Sequence, residues 1–193
     1  MSLTIETKYK ITGKLGEGSF GKIFKGKNTN TNTDVAIKID KEEGGILLRN
    51  EARIYRILSG LTGIPTMRSF GIEDNFTYLV MDLLGNTLED TRKTHGDKMS
   101  QRMVALVGLQ MLKRLEDIHK KGIIHRDIKP ENFIFGINDT KSVLYLVDFG
   151  LAKFYLDDQG KHITLSTGRK LTGTSRYASL SVHMGNTPSR RDD

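Results

Sequence analysis

The stretch from Ile123 to Phe135, which reads IIHRDIKPENFIF, constrains the fold of this chain more than any other segment. It places a histidine, two basic residues, two acids and an asparagine between two apolar clusters that favour burial. An unpaired charge in a low-dielectric interior is costly, so a fold accepts such a cluster only if it is solvated, paired or used in chemistry. The rest of the sequence indicates which of the three applies.

The composition is that of an ordinary globular protein. Of the 193 residues, 37% are hydrophobic and 27% are charged, which excludes a disordered chain. The net charge of +7 favours an anionic partner without choosing among nucleotide, phosphoprotein, nucleic acid and membrane surface. The sequence contains no cysteine, and no apolar run approaches the roughly 20 residues of a membrane span. We therefore expect a cytoplasmic or nuclear protein.

The chain has two differently patterned parts. Alternating apolar residues in the first eighty positions predict about five antiparallel strands, and the segment GILLRNEARIYRILSG predicts one helix among them. After DLLGN the pattern becomes helical, and Thr87 and Asp90 could form a capping pair for a short helix there. We predict an α+β fold with an N-terminal lobe at 1–81, a link at 82–86 and a mainly helical second lobe at 87–193.

The longest predicted helix begins after Ser100 and ends near Gly122. A stripe of apolar residues at helical spacing predicts that one face of this helix lies in the core. The residues of the stripe are Val104, Val107, Met111, Leu115 and Ile118.

The first candidate for chemistry is the glycine-rich segment GEGSFG, which lies between two predicted strands. Gly16, Gly18 and Gly21 would let backbone amides approach a phosphate without obstruction by a Cβ atom. Glycines at a hairpin more often simply form a turn. Since no helix follows, the dinucleotide-binding interpretation of the same pattern is disfavoured.

The second candidate is an ion pair between Lys38 and Glu51. Strand alternation in VAIK puts Ala36 and Lys38 on one face, although a lone lysine there is more often a solvent-facing residue of an edge strand. Glu51, however, lies on the apolar face of the following helix, and a carboxylate in that position needs a cation. Lys38 is the nearest candidate.

The third candidate is the opening stretch itself together with DFG further along the chain. Asp127 could serve as a base, Lys129 could face a phosphate, and Asn132 and Asp148 carry oxygen atoms suited to a divalent metal. These are the parts that phosphoryl transfer needs. The alternative for HRD alone is a turn with solvated charges, but chance does not readily supply all of these motifs in this order.

The chain resembles the eukaryotic Ser/Thr protein kinases from end to end. Four segments further resemble the casein kinase 1 family: LLGNTLED, QMLKRLEDIHKKGIIHRDIKPENFIFG, VDFGLAKFY and LTGTSRYASLSVHMGNTPSRRDD. That family carries a Ser-Ile-Asn-like segment where most protein kinases have Ala-Pro-Glu. Here the segment reads Ser179-Leu180-Ser181, so an asparagine is replaced by serine.

The resemblance implies a kinase that uses ATP and Mg²⁺. Asp127 would orient the substrate hydroxyl, Lys129 would contact the γ-phosphate, and Asn132 and Asp148 would bind the metal. Lys38 would hold the nucleotide phosphates while paired to Glu51. The residues implied to contact the nucleotide are Gly16, Gly18, Gly21, Ile23, Ala36, Lys38, Met81, Asp82 and Leu84.

The resemblance also implies protein substrates that are acidic or already phosphorylated. Guanidinium groups bind phosphate through paired hydrogen bonds, which suits a cluster of cations around the activation segment. The alternative is that these cations are solvated loop charges. The cluster consists of Arg126, Lys153, Arg169 and Arg176.

The family's catalytic domain continues for further helices, so we expect a C-terminally truncated second lobe. Asp193 would be the aspartate that supports the catalytic loop from below. We expect apolar surface of the long helix to be exposed and to favour self-association through this lobe. The alternative to an active kinase is a nucleotide-binding fragment or regulatory decoy. A nucleic-acid-binding module has only the net charge in its favour, so we expect neither a nucleic-acid nor a membrane partner.

Overall fold

The computed structural model describes residues 4–18, 21–41, 45–73, 75–96 and 98–193. The chain forms two compact units. The first consists of Met1–Ser59 and Pro65–Leu84, and the second of Gly60–Ile64 and Gly85–Asp193.

In its described residues, the first unit is one antiparallel sheet of six strands with one helix, α1 (Ile46–Ile57). The order across the sheet is β1-β2-β3-β4-β6-β5. The sequence predicts all of these strands except β1, whose two residues are too few to show alternation. The strands are β1 (Thr4–Ile5), β2 (Tyr9–Gly18), β3 (Gly21–Asn28), β4 (Asp34–Asp40), β5 (Met67–Glu73) and β6 (Phe76–Asp82).

The first unit has an apolar core on one face of its sheet. The turn after β1 contacts β5 and β6, which lie at the other end of the sheet. The Glu6 carboxylate accepts hydrogen bonds from the hydroxyls of Ser69 on β5 and Tyr78 on β6, each at 2.5 Å. Burial, together with the bond to Glu6, raises the pKa of Tyr78 far above its ordinary value. The sheet is therefore curled around the core, which consists of Ile5, Tyr9, Val35, Ile37, Ile39, Tyr78 and Val80.

The second unit contains three α-helices and two antiparallel strand pairs, β7 with β10 and β8 with β9, within its described part. The sequence predicts the β8–β9 hairpin but not the β7–β10 pair, because two-residue strands carry no periodicity. Short 3₁₀ turns connect these elements. The elements are α2 (Leu88–Thr94), α3 (Gln101–Lys120), β7 (Ile123–Ile124), β8 (Phe133–Phe135), β9 (Leu144–Leu146), β10 (Lys153–Phe154) and α4 (Leu180–His183).

Side-chain caps fix the first two helices of this unit. Thr87 and Asp90 form a reciprocal capping box at the start of α2, and the Ser100 hydroxyl accepts a hydrogen bond from the Met103 amide at the start of α3. Both caps are as the sequence predicts. No helix in the described ranges combines the length and the apolar composition that a membrane crossing needs.

The α3 helix differs from the prediction in which residues it buries. Val107 and Ile118 are buried as expected, but Val104 is 56% exposed, so its placement in the core was wrong. Val104 lies in the first turn of α3, and the first buried residue of the helix is Val107. The apolar surface that α3 exposes lies instead on its opposite face, at Leu106 and Leu109 among others.

The segment at 60–64 is part of the second unit because α3 and β9 hold it. The Arg114 guanidinium donates a hydrogen bond to the Thr62 carbonyl, and the Leu146 amide donates to the Gly63 carbonyl at 2.9 Å. Gly63 has a φ of +74°, and a Cβ atom there would lie 2.0 Å from Arg114 Nη1. Only glycine fits this position.

We predict that Gly63→Ala destabilises the protein much more than Gly60→Ala. Both glycines have positive φ, but a Cβ at Gly60 meets nothing within 4 Å. Gly60→Ala should therefore cost only the backbone strain of about 1 kcal/mol, while Gly63→Ala adds an overpacking cost of roughly 1–3 kcal/mol. Urea unfolding followed by circular dichroism measures both. Equal midpoints for the two variants would show that Arg114 moves away freely.

Candidate active site

Lys38 and Glu51 form a buried ion pair within the first unit. Lys38 Nζ lies 2.7 Å from Glu51 Oε2, and the two residues are only 7% and 1% exposed. The β4 strand lies between β3 and β6, so the alternative of a lysine on an exposed edge strand was wrong. A buried pair of this kind persists only when both charges are satisfied together. Its role toward a nucleotide stays a prediction.

The residues implied to enclose adenine share the face of the sheet that carries Lys38. Ile23 is directly opposite Lys38 in the β3–β4 register, and Ala36 is opposite Met81 in the β4–β6 register. Strand alternation places them on the side away from the core residue Ile37. This face therefore presents two apolar side chains and a small residue beside the ammonium group.

The three glycines lie at the β2–β3 hairpin. Gly16 is opposite Ile23, and Gly18 is opposite Gly21. Gly21 has a φ of +124°, and a Cβ there would lie 2.3 Å from the Ile39 carbonyl oxygen, whereas Gly16 has open space around it. The remaining loop residues, 19 and 20, lie outside the described residues. Fold geometry thus requires glycine at 21, while the predicted phosphate contact stays a prediction.

The boundary between the two units falls inside the predicted link at 82–86. Asp82 ends β6, and its carboxylate accepts hydrogen bonds from Arg68 Nε at 2.7 Å and from the Thr66 amide at 3.0 Å. Leu84 is the last residue of the first unit, and Gly85 belongs to the second. The Asp82 side chain is therefore structural, and any adenine contact would use the backbone of Asp82 and Leu84.

His125 is a fully buried, neutral side chain in the catalytic loop. Its Nε2–H donates to the Val147 carbonyl at 2.9 Å, and its Nδ1 accepts from the Asp127 amide at 3.3 Å. The ring also lies edge-on to Phe149, with the centroids 5.0 Å apart. Burial lowers the pKa of His125, which keeps the ring uncharged. His125 thus positions the loop rather than titrating with substrate.

The carboxylate of Asp127 is held by donors from two segments of the chain. Oδ2 accepts from Lys129 Nζ at 2.7 Å, and Oδ1 accepts from both the amide and the hydroxyl of Thr174, at 2.8 and 2.7 Å. Lys129 also donates to the Thr174 hydroxyl at 2.9 Å. Burial alone would raise the pKa of Asp127, but the bonds from Lys129 and Thr174 lower it below its ordinary value. Asp127 is therefore an ionised acceptor.

Thr174 is a site residue that the sequence analysis did not single out. It lies 47 positions from Asp127 in a polar segment with little periodicity. The only sequence signal is its place within LTGTSRYASLSVHMGNTPSRRDD, one of the segments that carry the family resemblance. A shallow cavity opens beside this pair, and its wall includes Tyr177, Ala178 and Val182.

Asn132 and Asp148 lie next to each other in the second unit. The Asn132 side-chain amide donates to the Asp127 carbonyl at 2.8 Å, which leaves its Oδ1 atom as the acceptor. The Asn132 carbonyl accepts from the Val147 amide at 3.0 Å, so Asp148 follows directly, with a left-handed φ of +67°. An amide oxygen and a carboxylate are the hard ligands that Mg²⁺ takes in proteins.

No group of three or more His, Cys, Asp or Glu residues that could hold a metal occurs in the described part of the chain. A magnesium ion bound through one carboxylate and one amide oxygen takes its other ligands from substrate phosphates and water. The donor set therefore fits an ion that arrives with a nucleotide.

Asp193 supports the catalytic loop from below, as the resemblance implies. Its carboxylate accepts hydrogen bonds from the amides of His125 and Arg126, both at 2.8 Å, and lies 2.9 Å from His119 Nε2. Arg126 has a left-handed φ of +70°, so these bonds hold a strained turn in place.

The four cations of the predicted phosphate site have separate surroundings. Arg126 Nε donates to the Leu151 carbonyl at 2.6 Å, and Arg169 Nε donates to the Ser166 hydroxyl at 2.9 Å. The Arg176 guanidinium lies over the ring of Tyr177, 5.7 Å from its centroid. Lys153 is exposed on β10. Their joint use as a phosphate site stays a prediction.

The Ser179-Leu180-Ser181 segment keeps polar contacts despite its departure from the family pattern. The Ser179 hydroxyl donates to Asp192 Oδ1 at 2.6 Å and accepts from the Val182 amide at the start of α4. The Ser181 hydroxyl accepts from Asn186 Nδ2 at 3.3 Å. Serine at position 181 is therefore compatible with an ordered segment.

We predict that His125 remains the neutral Nε2–H tautomer through mildly acid pH, as read by long-range ¹⁵N–¹H NMR. Its folded pKa lies below the ordinary 6.5, so the unfolded chain takes up a proton first as the pH falls. The stability contributed by neutral His125 is present above pH 6.5 and declines as the pH falls below that value. A protonated His125 at pH 6.5 would contradict this assignment.

Comparison with known proteins agrees with the motifs. Residues 9–184 match the protein kinase domain family. The chain is 46% identical over 189 residues to "Casein kinase I homolog 1" of Schizosaccharomyces pombe, an alignment that covers 96% of this chain and 42% of that protein. The chain therefore spans less than half the length of this relative. These matches confirm the kinase identification and the resemblance to casein kinase 1, together with the predicted α+β kinase fold: the chain belongs to the protein kinase family.

Proposed function

We propose that this chain is a Ser/Thr protein kinase that transfers the γ-phosphate of ATP to a protein hydroxyl. The observation that carries the proposal is the ionised Asp127 carboxylate, which Lys129 and Thr174 hold in a defined orientation. Membership of the protein kinase family and similarity to a protein named as a casein kinase I homologue support it.

In this proposal the first unit binds the nucleotide. Lys38 contacts the α and β phosphates, and Glu51 fixes the direction of its ammonium group through the 2.7 Å contact. Backbone amides of the hairpin cover the phosphates, while apolar side chains and the link backbone contact adenine. The residues assigned to these tasks are Gly16, Gly18, Gly21, Ile23, Ala36, Met81, Asp82 and Leu84.

In the second unit, Asp127 orients the substrate hydroxyl and accepts its proton. Among the described residues, Lys129, Thr174 and Asn132 donate to its carboxylate, and the Thr174 hydroxyl both donates to Asp127 and accepts from Lys129. The substrate hydroxyl donates to this same carboxylate, while the Thr174 hydroxyl stays between Asp127 and Lys129 and keeps the carboxylate oriented. Lys129 then faces the transferred phosphate.

Asn132 and Asp148 are the proposed magnesium ligands. A magnesium ion held by these two residues would neutralise charge on the nucleotide phosphates. The protein's own contribution is orientation, because Asp127 fixes the Asn132 amide through a 2.8 Å bond from Asn132 Nδ2 to the Asp127 carbonyl. The side chain of Asn132 is therefore held in its orientation before a nucleotide binds.

We predict that Asp127→Asn lowers turnover by a factor on the order of 10² to 10⁴ while leaving nucleotide affinity nearly unchanged. Lys38→Met should instead lose nucleotide-dependent stabilisation, because it removes the phosphate contact but keeps a side chain of similar length. Incorporation of labelled phosphate into an acidic protein and a nucleotide thermal shift measure the two effects.

Several outcomes of that experiment separate the alternatives. Loss of nucleotide binding in Asp127→Asn would mean that Asp127 is only structural. Unchanged transfer by Lys38→Met would remove Lys38 from the mechanism. Nucleotide binding without transfer by the parent chain would favour the alternative of a nucleotide-binding fragment or regulatory decoy.

The proposed substrates are acidic or phosphorylated protein segments, and the proposed compartment is the cytoplasm or nucleus. The net charge of +7 and the exposed cations Lys153, Arg169 and Arg176 support an anionic substrate. We predict that a peptide with a phosphoserine before the target residue is phosphorylated faster than its unmodified form, and that added salt reduces the difference. The measurement is the ratio of the phosphorylation rate of the phosphoserine peptide to that of the unmodified peptide. The same ratio in the parent and in Arg176→Ala would exclude Arg176 from phosphate recognition.

A further inference from the structure

Thr174, the residue that orients the catalytic carboxylate, lies between two constrained neighbours. On its N-terminal side, Gly173 packs so closely on the catalytic loop that a Cβ atom there would lie 2.3 Å from the Arg126 carbonyl oxygen. On its C-terminal side begins the short turn Ser175–Tyr177, whose Tyr177 amide donates to the Thr174 carbonyl at 2.9 Å. The position of the Thr174 hydroxyl therefore depends on what holds this turn in place.

His183 forms a hydrogen bond to this turn from another element. It is the exposed last residue of α4, and its Nε2 atom lies 3.0 Å from the Ser175 carbonyl oxygen. A carbonyl oxygen only accepts, so Nε2 carries a proton and donates. Since Ser175 directly follows Thr174, the bond fixes the neighbour of the residue that contacts Asp127.

The helix that carries His183 is itself anchored to the other support of the catalytic loop. Ser179, the N-cap of α4, donates to Asp192 Oδ1 at 2.6 Å. The next residue, Asp193, accepts hydrogen bonds from two backbone amides of the catalytic loop. His183 therefore completes a chain of contacts that runs from Asp193 through α4 to the residue after Thr174.

We infer that His183 is a positioning residue for Asp127 and acts through Thr174. Its bond to the Ser175 carbonyl keeps the turn in place, and the turn keeps the Thr174 hydroxyl on the carboxylate. One hydrogen bond changes an equilibrium by a factor of about two to ten, so the effect is modest. The inference rests on the proposed function, because Asp127 is the proton acceptor assigned there.

The first test uses neither nucleotide nor transfer. His183→Leu removes the donor, whereas His183→Gln keeps one, because the amide nitrogen of glutamine lies near the position of Nε2. Exchange of the Thr174 and Tyr177 amide hydrogens, followed by NMR, should be about fivefold faster in the leucine variant and close to the parent in the glutamine variant. Unchanged exchange in His183→Leu, or the same increase in both variants, would overturn the inference.

His95→Leu is the matched control for this measurement. His95 is also an exposed histidine of the second unit, and its Nδ1 atom lies 2.8 Å from the Thr91 carbonyl oxygen. The control thus loses the same kind of bond at a place away from Thr174, and exchange of the Thr174 amide should not change. An equal increase in His95→Leu and His183→Leu would show general destabilisation and would overturn the inference.

The second test is transfer of labelled phosphate to an acidic protein. His183→Leu should lower turnover about fivefold with the KM for ATP unchanged, and His183→Gln should restore it. In the background of Thr174→Ala, the leucine substitution should have no further effect, because the hydroxyl through which His183 acts is already absent. Multiplied losses in the double variant would mean that His183 acts on the substrate directly, which would overturn the inference.

The two tests separate this inference from the kinase proposal. A parent chain without transfer would contradict the proposed function, while amide exchange would still decide whether His183 holds Thr174 on the Asp127 carboxylate.

Discussion

The second unit depends on the way the Asp127 carboxylate is held. A buried ionised carboxylate is tolerated only when donors replace the water it has lost. Here Lys129, Asn132 and Thr174 supply the donors from three positions along the chain. Asp193, a second buried carboxylate, fixes the preceding backbone by accepting from two amides. Within the IIHRDIKPENFIF stretch, Asp127 and Lys129 therefore form an ion pair, and Asn132 donates to the same carboxylate.

The first unit solves the same electrostatic problem in a simpler way. Lys38 and Glu51 satisfy each other across β4 and α1, and the pair lies on the sheet face opposite the core. The position of Lys38 in an interior strand makes the ammonium group fixed rather than solvated. Both units therefore hold charged groups whose directions are set before any ligand binds, which is the form of organisation that phosphoryl transfer uses.

Local periodicity explains which features the sequence could predict. The Lys38–Glu51 pair follows from strand alternation and helical spacing, and the caps at Thr87 and Ser100 follow from short-range chemistry. Thr174 could not be predicted from pattern because its contact with Asp127 joins distant segments and its own segment has no period. The prediction that Val104 lies in the core was wrong. The spacing of apolar residues identifies the face of a helix that packs, but not the residue at which packing begins.

Two-residue strands and the second face of α3 were missed for related reasons. The strands Thr4–Ile5 and Ile123–Ile124 form because each pairs with another strand, β2 and β10 respectively. Their own two residues carry no strand signal. In α3, one apolar stripe accounts for the helical prediction, and the additional leucines at 106, 109 and 112 then have no separate signal. Only the burial of Val107 and Ile118 shows that the second face is a distinct surface.

The most direct test of the central claim is transfer of labelled γ-phosphate to serine and threonine of an acidic protein by the parent chain, Thr174→Ser and Thr174→Ala. Serine keeps the hydroxyl that joins Asp127 to Lys129, whereas alanine removes it. We predict transfer by the parent, similar transfer by Thr174→Ser, and a loss of about tenfold in Thr174→Ala, the effect of one or two hydrogen bonds. No transfer by the parent, or equal rates in the two variants, would contradict it.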